Sequence, residues 1–394
     1  MAQHGEGVIL VRGAAGGDVN PDFFYLTGLA EPRAALLLAA EGMRIGLGRS
    51  NPGPDYQRGR TVHELLFLPA ADPLAASWGE DSAATVESVD AAAAGVDAVL
   101  DAGRLDSELG RALESAGILH YVRGAFPTLA GEDDEDVRFI RRVRDRYFGV
   151  RLCDATPSVH ELRRLKDGGE LVAIERSIAL TGQVIDHLLA TVKAGMQEHE
   201  VEGEITRIYR AAGAGHAFSP IVACGLNAVL PHYKANSDPV EAGRLLLVDT
   251  GAALGGYRSD ITRTFPVDGR FDARQREIYD IVLSAQREAI EHCRPGSTIG
   301  DIHASAYEVI DDAGFGESFI HGTSHHLGLE THDVGDIHAP LAPGAVITVE
   351  PGIYLPDEKI GVRIEDDVLV TEGDPRILSE AIPVEADEIE RRMA

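Results

Sequence analysis

The chain has 394 residues, more than a single hydrophobic core usually organises, so its length favours two domains that fold without disulfide or metal staples. Its 64 acidic and 36 basic residues give a formal charge of -28, which disfavours nucleic acid and anionic membranes as partners. The three cysteines are widely spaced and no apolar run is long enough for a signal peptide or a membrane span, so the sequence excludes a disulfide framework and a thiolate zinc site and predicts a cytoplasmic protein.

The first part of the chain alternates short apolar runs such as GVILV and AALLLAA with turn clusters, a pattern typical of an α/β domain. The acidic stretch GEDDEDV is followed by the basic stretch FIRRVRDRYFGVR and then by Pro157. This reversal of charge indicates a boundary between domains. We therefore predict domains at residues 1–157 and 158–394.

The second part begins as a helical sequence and continues as strands. From Asp167 to Gly195 a single apolar face predicts a long helix, and two more helices are predicted over DARQREIYDIVLSAQREAIEHC and IGDIHASAYEVIDDAG. The strands between and after them are joined by short turns, which favours an antiparallel sheet and a fold of the α+β class. The apolar face of the first helix comprises Ile174, Ile178, Ile185, Leu188 and Leu189.

A first hairpin carries two aspartates. The segment RLLLVDTGAALGGYRSDITRTFPV predicts two strands with a turn at Gly255-Gly256. In that register Asp249 and Asp260 are diagonal neighbours on one face of the sheet, roughly 7–8 Å apart. Because Asp249 follows the run LLLV, we expect it to lie in a buried strand.

A second hairpin repeats the arrangement with two glutamates. The segment VITVEPGIYLPDEKIGVRIEDDVLV has its loop at residues 356–359. Glu350 and Glu365 then face each other directly, with Cβ atoms about 5 Å apart unless Pro351-Gly352 introduces a bulge.

These four carboxylates have two interpretations. Acids in a strand usually lie on a solvated face of the sheet. If they converge on a buried surface instead, they repel one another and require cations. Two divalent ions would balance four negative charges and activate a water for hydrolysis. An oxygen-rich ligand set with one imidazole favours Mn²⁺ or Co²⁺, with Zn²⁺ as an alternative.

An imidazole could come from HGTSHHLGLETH, residues 321–332, which contains four histidines. The spacing HxxxH is not helical here, because Gly322, Thr323 and Ser324 are poor helix formers, and the HExxH motif of helical zinc peptidases is absent. Without further context, a histidine in this segment would more often have a structural role.

Read together, VDTGAALGGYRSDITRTFPVDGRF, HGTSHHLGLETHD, ITVEPGIY and GVRIEDDVLVT resemble the pita-bread metallopeptidases, of the aminopeptidase P and prolidase type, over about residues 158–394. The resemblance implies a pita-bread catalytic domain with two metal ions, bridged by Asp260 and Glu365. The ligands it implies are Asp249, Asp260, His325, Glu350 and Glu365.

The resemblance also implies roles for neighbouring residues. Glu350 would act as the general base as well as a ligand. His332 and His232 would contact the substrate, where an imidazole can hydrogen-bond the peptide carbonyl or pass a proton to the leaving nitrogen. A structural role is the alternative for each histidine. His326 is expected to be a neighbour and not a ligand.

Three further residues are expected to support the site or to bind substrate. His321 would orient other groups from behind the ligands. Arg363 would hold the carboxylate of Glu365 by a charge-assisted hydrogen bond. Tyr354 matches a tyrosine of the site, with packing in the core as the alternative.

The segments DFFYLTGLAEPRAALLL and LFLPAADPLAASWGED resemble the creatinase-like amino-terminal α/β domain of aminopeptidase P. In that family a basic pair usually follows the tryptophan motif, whereas here Trp78-Gly79 is followed by Glu80-Asp81. This departure bears on subunit contacts and on recognition of the substrate end. The family implies a homodimer or a homotetramer.

Three functions follow from these expectations. The first is an Xaa-Pro aminopeptidase acting on peptides with proline in the second position, which the amino-terminal resemblance favours. The second is a prolidase restricted to Xaa-Pro dipeptides, which would need a cation for the substrate carboxylate, such as Arg49, Arg58 or Arg60. The third is a non-catalytic binding module with the same fold, which the complete ligand set disfavours.

Overall fold

The computed structural model describes residues 6–15, 18–45, 60–78, 84–124 and 134–394. The chain forms two compact units, Met1–His160 and Glu161–Ala394. A helix, Thr156–Arg164, contains both this division and the boundary that the sequence predicts after residue 157. The predicted residues Arg49, Arg58, Glu80 and Asp81 lie outside the described ranges.

The N-terminal unit is built on a mixed sheet. Its strands are β1 (Val8–Arg12), β2 (Ala14–Ala15), β3 (Asp18–Val19), β4 (Ala35–Ile45), β5 (Arg60–Leu68), β6 (Ala98–Asp101), β7 (Ile118–Val122) and β8 (Arg151–Asp154). Its helices are α1 (Pro21–Thr27), α2 (Pro73–Trp78), α3 (Leu105–Ala116) and α4 (Glu135–Arg146), and α5 (Thr156–Arg164) follows β8. Six strands form one sheet in the order β6-β5-β4-β1-β7-β8, and the parallel pairs are β5 with β6, β1 with β7 and β7 with β8.

The central strand β1 explains the uninterrupted apolar run near the start of the chain. Val8 and Leu10 pack into one core cluster, whereas Ile9 and Val11 pack into a second. Successive side chains of a strand point to opposite faces, so a strand covered on both faces is apolar at every position. The predicted α/β character of this unit is confirmed.

The C-terminal unit combines five helices with short antiparallel sheets. Its helices are α6 (Gly168–Thr191), α7 (Glu198–Ala211), α8 (Ala273–Glu291), α9 (Ile299–Asp312) and α10 (Ala386–Met393). Its strands are β9 (Gly215–His216), β10 (Ile221–Cys224), β11 (Leu245–Thr250), β12 (Ala252–Leu254), β13 (Tyr257–Arg258), β14 (Ile261–Pro266), β15 (Val346–Val349), β16 (Gly352–Leu355), β17 (Ile360–Arg363), β18 (Asp366–Leu369) and β19 (Arg376–Ile377). The sheets have the orders β10-β11-β14, β13-β12-β9, β15-β18-β19 and β16-β17.

The three helices predicted in this unit are present as α6, α8 and α9. Helix α6 begins after Asp167, whose side chain accepts hydrogen bonds from the backbone of Gly169 and Glu170. Its predicted apolar face is buried in the main core cluster. Helices α7 and α10 were not predicted. In the described part of the chain, no helix is long and apolar enough to cross a membrane.

Candidate metal centre and cavity

The first hairpin places its two aspartates as the sequence predicts. Asp249 lies on β11 opposite Thr262 of β14, and the tip of the hairpin pairs Leu254 with Tyr257 around the turn at Gly255-Gly256. Gly255 has a φ of 63°, a backbone conformation that favours glycine. Asp260 precedes β14, and both aspartates line the same cavity.

The second hairpin keeps the predicted register but is interrupted at its glutamates. Gly352 pairs with Arg363 on one side of the break, and Val349 pairs with Asp366 on the other. Glu350 and Glu365 lie in the gap between these two ladders. There the backbone N–H of Glu365 donates to the carbonyl of Thr262 at 3.1 Å. The second hairpin therefore joins the first at the point where the acids lie.

His325 brings an imidazole to these acids. Its Nε2 atom is 3.5 Å from Oδ2 of Asp260 and 3.7 Å from Oε1 of Glu350. Asp260, His325 and Glu365 each have a potential ligand atom within 4.8 Å of the others. His326 is buried and its ring packs against the backbone of Gly335, away from this group.

The acids are held in an environment that opposes their ionisation. Burial raises the pKa of Asp260 well above its usual range, and repulsion by Asp249 and Glu350 adds to the shift. Burial likewise raises the pKa of Glu350 and of Glu365, and Asp260 contributes further to the latter. A buried cluster of ionised carboxylates destabilises the folded protein unless positive charge lies beside it.

The donor set fits divalent metal ions. Oδ1 of Asp249 is buried and has no hydrogen-bond partner in the described ranges, so an acceptor oxygen remains unsatisfied beside the other acids. Four carboxylates and one imidazole are the oxygen-rich, nitrogen-containing ligands that Mn²⁺, Co²⁺ and Zn²⁺ accept in proteins. The residues predicted as ligands all line one cavity.

Arg363 requires a correction, because it does not hold Glu365. Its NH2 atom donates to Oδ2 of Asp249 at 2.6 Å, and Glu365 accepts instead from the hydroxyl of Thr262 at 2.7 Å. The hydroxyl of Thr262 lies between the two side chains, because it accepts from Nε of Arg363 at 3.1 Å while it donates to Glu365. Arg363 therefore neutralises a different acid from the one that the sequence suggested.

Tyr354 and Arg363 also differ from the prediction that they bind substrate. Each is 3% exposed, and neither lines the cavity. The tyrosine hydroxyl accepts from NH1 of Arg363 at 3.0 Å and lies 2.8 Å from Nε2 of His321. These three side chains form a hydrogen-bonded chain behind Asp249, which agrees with the supporting position expected for His321.

The cavity has a volume of about 450 Å³, within the range of about 300–1,000 Å³ that is common for small-molecule sites. His232 and His332, for which the sequence predicts contact with the substrate, both line it. The ring of His332 meets that of His325 edge to face at 4.3 Å. Burial lowers the pKa of His332, and the neighbouring His325 lowers it further.

One buried carboxylate holds the loop, residues 225–238, that carries His232. Glu198, the first residue of α7, is 0% exposed and accepts hydrogen bonds from both sides of this loop. The loop therefore has a fixed backbone near the histidine. The donors are the N–H groups of Cys224 (2.8 Å) and Asp238 (3.0 Å), the Asn227 amide (3.0 Å) and the Tyr233 hydroxyl (2.8 Å).

A glycine brings this loop against the second hairpin. A Cβ atom on Gly361 of β17 would lie only 2.0 Å from the carbonyl oxygen of Ala228. Ala228 belongs to a 3-10 helix, Asn227–Val229, at the start of the loop. No other residue type could accommodate this approach without a shift of the backbone.

Sequence reasoning missed two cations that line the cavity, Lys234 and Arg258. A signal was available, because Arg258 lies two positions before Asp260, and residues two apart in an extended segment face the same side. Lys234 likewise follows His232 by two positions. Glu330 also lines the cavity and was not predicted.

Comparison with known families assigns both parts of the chain. Residues 172–372 match the model of metallopeptidase family M24. Residues 18–120 match the model of the aminopeptidase P N-terminal domain.

Two relatives differ in how much of the chain they match. The chain is 31% identical to the Xaa-Pro aminopeptidase of Escherichia coli (strain K12), over 95% of this chain and 88% of that protein. It is 38% identical to the Xaa-Pro dipeptidase of Pyrococcus furiosus, but over only 56% of this chain and 64% of that protein. The similarity to the aminopeptidase therefore extends through both units.

Solved structures give the same result for the fold. A variant of Escherichia coli aminopeptidase P in complex with substrate superimposes with a TM-score of 0.82 at 28% identity. The match covers 98% of this chain and 94% of that one.

Proposed function

Because the chain belongs to metallopeptidase family M24, in its Xaa-Pro aminopeptidase group, we propose that it hydrolyses the bond between an N-terminal residue and a proline in the second position. It is thus a metallo-exopeptidase with a pita-bread catalytic domain. The observation that carries the proposal is the convergence of Asp249, Asp260, His325, Glu350 and Glu365 on one cavity.

The chain would hold two divalent metal ions through these five side chains, with Mn²⁺ preferred and Co²⁺ or Zn²⁺ as alternatives. When bound, the ions would polarise the peptide carbonyl and make a water more acidic. Support comes from the unsatisfied Oδ1 of Asp249 and from the burial of Asp260 beside other carboxylates.

Glu350 would take a proton from the attacking water through its carboxylate. Its raised pKa, caused first by burial, suits a group that must accept and later release a proton near neutral pH. Arg363 would hold the carboxylate of Asp249 in position through their hydrogen bond of 2.6 Å.

His232 and His332 would contact the peptide on either side of the cleaved bond. Burial favours the neutral imidazole of His332, which can donate one hydrogen bond to a peptide carbonyl. The other histidine is exposed on its loop and could deliver a proton to the leaving proline nitrogen.

The assay is hydrolysis of Ala-Pro-Ala and of Ala-Ala-Ala by protein that has been treated with a chelator and reloaded with Mn²⁺. We expect release of alanine from Ala-Pro-Ala only, and no activity before reloading. Absence of hydrolysis with Mn²⁺, Co²⁺ and Zn²⁺ in turn would reject the proposal and favour the non-catalytic binding module. We further propose that the protein is cytoplasmic and forms a homodimer or a homotetramer. Light scattering would measure the oligomeric state.

A prolidase is the second candidate, and the observation that favours it is the pair of cations in the cavity wall. Cleavage of Ala-Pro together with resistance of Ala-Pro-Ala would establish it. Arg60, the described member of the three arginines considered for this role, begins strand β5 of the other unit.

A further inference from the structure

The acids and the cations that line the cavity differ in whether an oppositely charged side chain lies beside them. Oδ2 of Asp249 is 2.6 Å from NH2 of Arg363, and Oε2 of Glu330 is 3.1 Å from NH2 of Arg163. These acids of the wall therefore have arginine partners that do not line the cavity.

Lys234 and Arg258 have no such partner. Across the described ranges, neither side chain lies within 4.0 Å of a carboxylate oxygen. Five acids of the described chain line the same cavity, yet none of them lies within ion-pairing distance of either cation. An anionic group on the ligand would complete the charge balance.

The guanidinium of Arg258 is held in place and still has donors to offer. Its NH1 atom donates to the carbonyl of Ala217 at 2.8 Å and contacts the hydroxyl of Thr331 at 3.4 Å. Its buried Nε atom has no acceptor in the described part of the chain. The contacts fix the side chain without neutralising it.

The distance from the acids suits the end of a short peptide. Arg258 and Asp260 are two positions apart, which corresponds to about 7 Å in extended backbone. A peptide advances by about 3.3–3.6 Å per residue. A group one or two residues beyond the cleaved bond can therefore reach this part of the wall.

We propose that Lys234 and Arg258 bind the free C-terminal carboxylate of a short peptide, so that the enzyme favours Xaa-Pro dipeptides and tripeptides over longer or amidated peptides. This inference rests on the proposed function and defines its substrate class. An arginine and a lysine that line one cavity can both donate hydrogen bonds to a carboxylate.

The kinetic test compares Ala-Pro-Ala with Ala-Pro-Ala amide, using Mn²⁺-loaded protein. We expect kcat/KM to be about tenfold higher for the free acid, mainly through KM, and the ratio to fall at high ionic strength. Lys234→Gln and Arg258→Gln should each bring the ratio towards one, whereas Arg258→Lys should retain part of it.

The control is Lys193→Gln, which removes an exposed lysine that does not line the cavity. It should leave the ratio unchanged. A ratio near one in the unmodified protein, or a ratio unaffected by both Gln variants, would overturn the inference while leaving Xaa-Pro hydrolysis intact.

A binding measurement tests the inference independently of turnover. Calorimetry with Pro-Leu and Pro-Leu amide should give a Kd about tenfold lower for the free acid, and Lys234→Gln should reduce that difference. Equal Kd values would contradict the inference, whether or not the protein hydrolyses peptides. Absence of hydrolysis would contradict the proposed function instead.

Discussion

Single residues of the cavity floor differ in how their charge is compensated. Asp249 has an arginine partner, whereas Asp260 has neither an arginine nor a lysine within ion-pairing distance in the described ranges. Asp260 is also more enclosed, and its backbone N–H donates to the buried carboxylate of Asp367 at 3.2 Å. An enclosed acid of this kind destabilises the folded protein unless a cation binds, so its presence is best explained by metal binding.

Replacing Asp260 should therefore separate metal binding from folding. Asp260→Asn should bind clearly fewer than two ions per chain and lose at least 100-fold in kcat, because the amide carries no charge. The metal-free variant should unfold at a higher temperature than the metal-free parent, since the repulsion is relieved. Elemental analysis, peptide assays and calorimetry measure the three quantities.

Asp312→Asn, which changes an exposed acid at the end of α9, is the matched control and should alter none of them. Unchanged metal content and rate in Asp260→Asn would refute the assignment of Asp260 as a ligand.

His321 gives a prediction about pH. Burial lowers the pKa of its imidazole to about 4, and the positive charge of Arg363 contributes. The unfolded chain binds this proton near pH 6.5 and the folded chain does not, so stability should fall as the pH decreases from about 6.5 to about 4, by up to about 3 kcal/mol.

His321→Gln should weaken this dependence, because glutamine can accept from Tyr354 without titrating. Urea unfolding at several pH values measures it, and His199→Gln, on the exposed side of α7, is the control. Parallel curves for the parent and His321→Gln would show that another group is responsible.

At the scale of elements, the two hairpins show which features of the site the sequence could predict and which it could not. Their registers could be predicted because the turn at 255–256 and the loop at 356–359 determine which positions face each other. The sequence indicated that Pro351-Gly352 could introduce a bulge beside Glu350, but it did not indicate the hydrogen bond from Glu365 to Thr262, which joins the two hairpins. The partner of Arg363 could not be predicted either, because Asp249 lies on the other hairpin.

The loop carrying His232 depends on Glu198, and this dependence can be tested in two steps. Glu198→Ala leaves several buried donors without an acceptor and should destabilise the protein by about 3 kcal/mol or more. Tyr233→Phe removes the hydrogen bond to Glu198 and the one that the hydroxyl accepts from the N–H of Ser237 at 3.2 Å, and it keeps the aromatic ring.

Tyr233→Phe should lower kcat/KM for Ala-Pro-Ala about three- to tenfold, because the histidine is less well positioned, while Tm changes by no more than about 2 °C. Tyr307→Phe, at a partly exposed position of α9, should change neither quantity. A normal kcat/KM in Tyr233→Phe would show that the loop is positioned without the hydroxyl of Tyr233.

For the whole molecule, composition indicated two domains, and the chain forms two compact units. The acidic composition gave no indication that Lys234 and Arg258 would face the same cavity as the metal-binding acids. That feature requires the loop after β10 and the strand before Asp260 to meet in space. Local patterns in the sequence do not show which distant segments line the same cavity.

Removing the metal should destabilise the whole C-terminal unit. Chelation leaves Asp260, Glu350 and Glu365 uncompensated, so Tm should fall by several degrees and recover with Mn²⁺, since a ligand of the native state stabilises it by mass action. NaCl at matched ionic strength should not restore Tm, because these buried acids are poorly screened. Equal Tm values with and without chelator would exclude tight binding at this centre.

The contact between Gly361 and Ala228 determines how closely two segments of the site approach each other. Gly361 lies on the hairpin that contributes Glu365, and Ala228 lies at the start of the loop that contributes His232. A methyl group at position 361 would push these segments apart, because its carbon would lie only 2.0 Å from the carbonyl oxygen of Ala228. Residues remote from the chemistry can thus tune how bulky a peptide the enzyme accepts, and a search for altered specificity could begin behind the cavity wall.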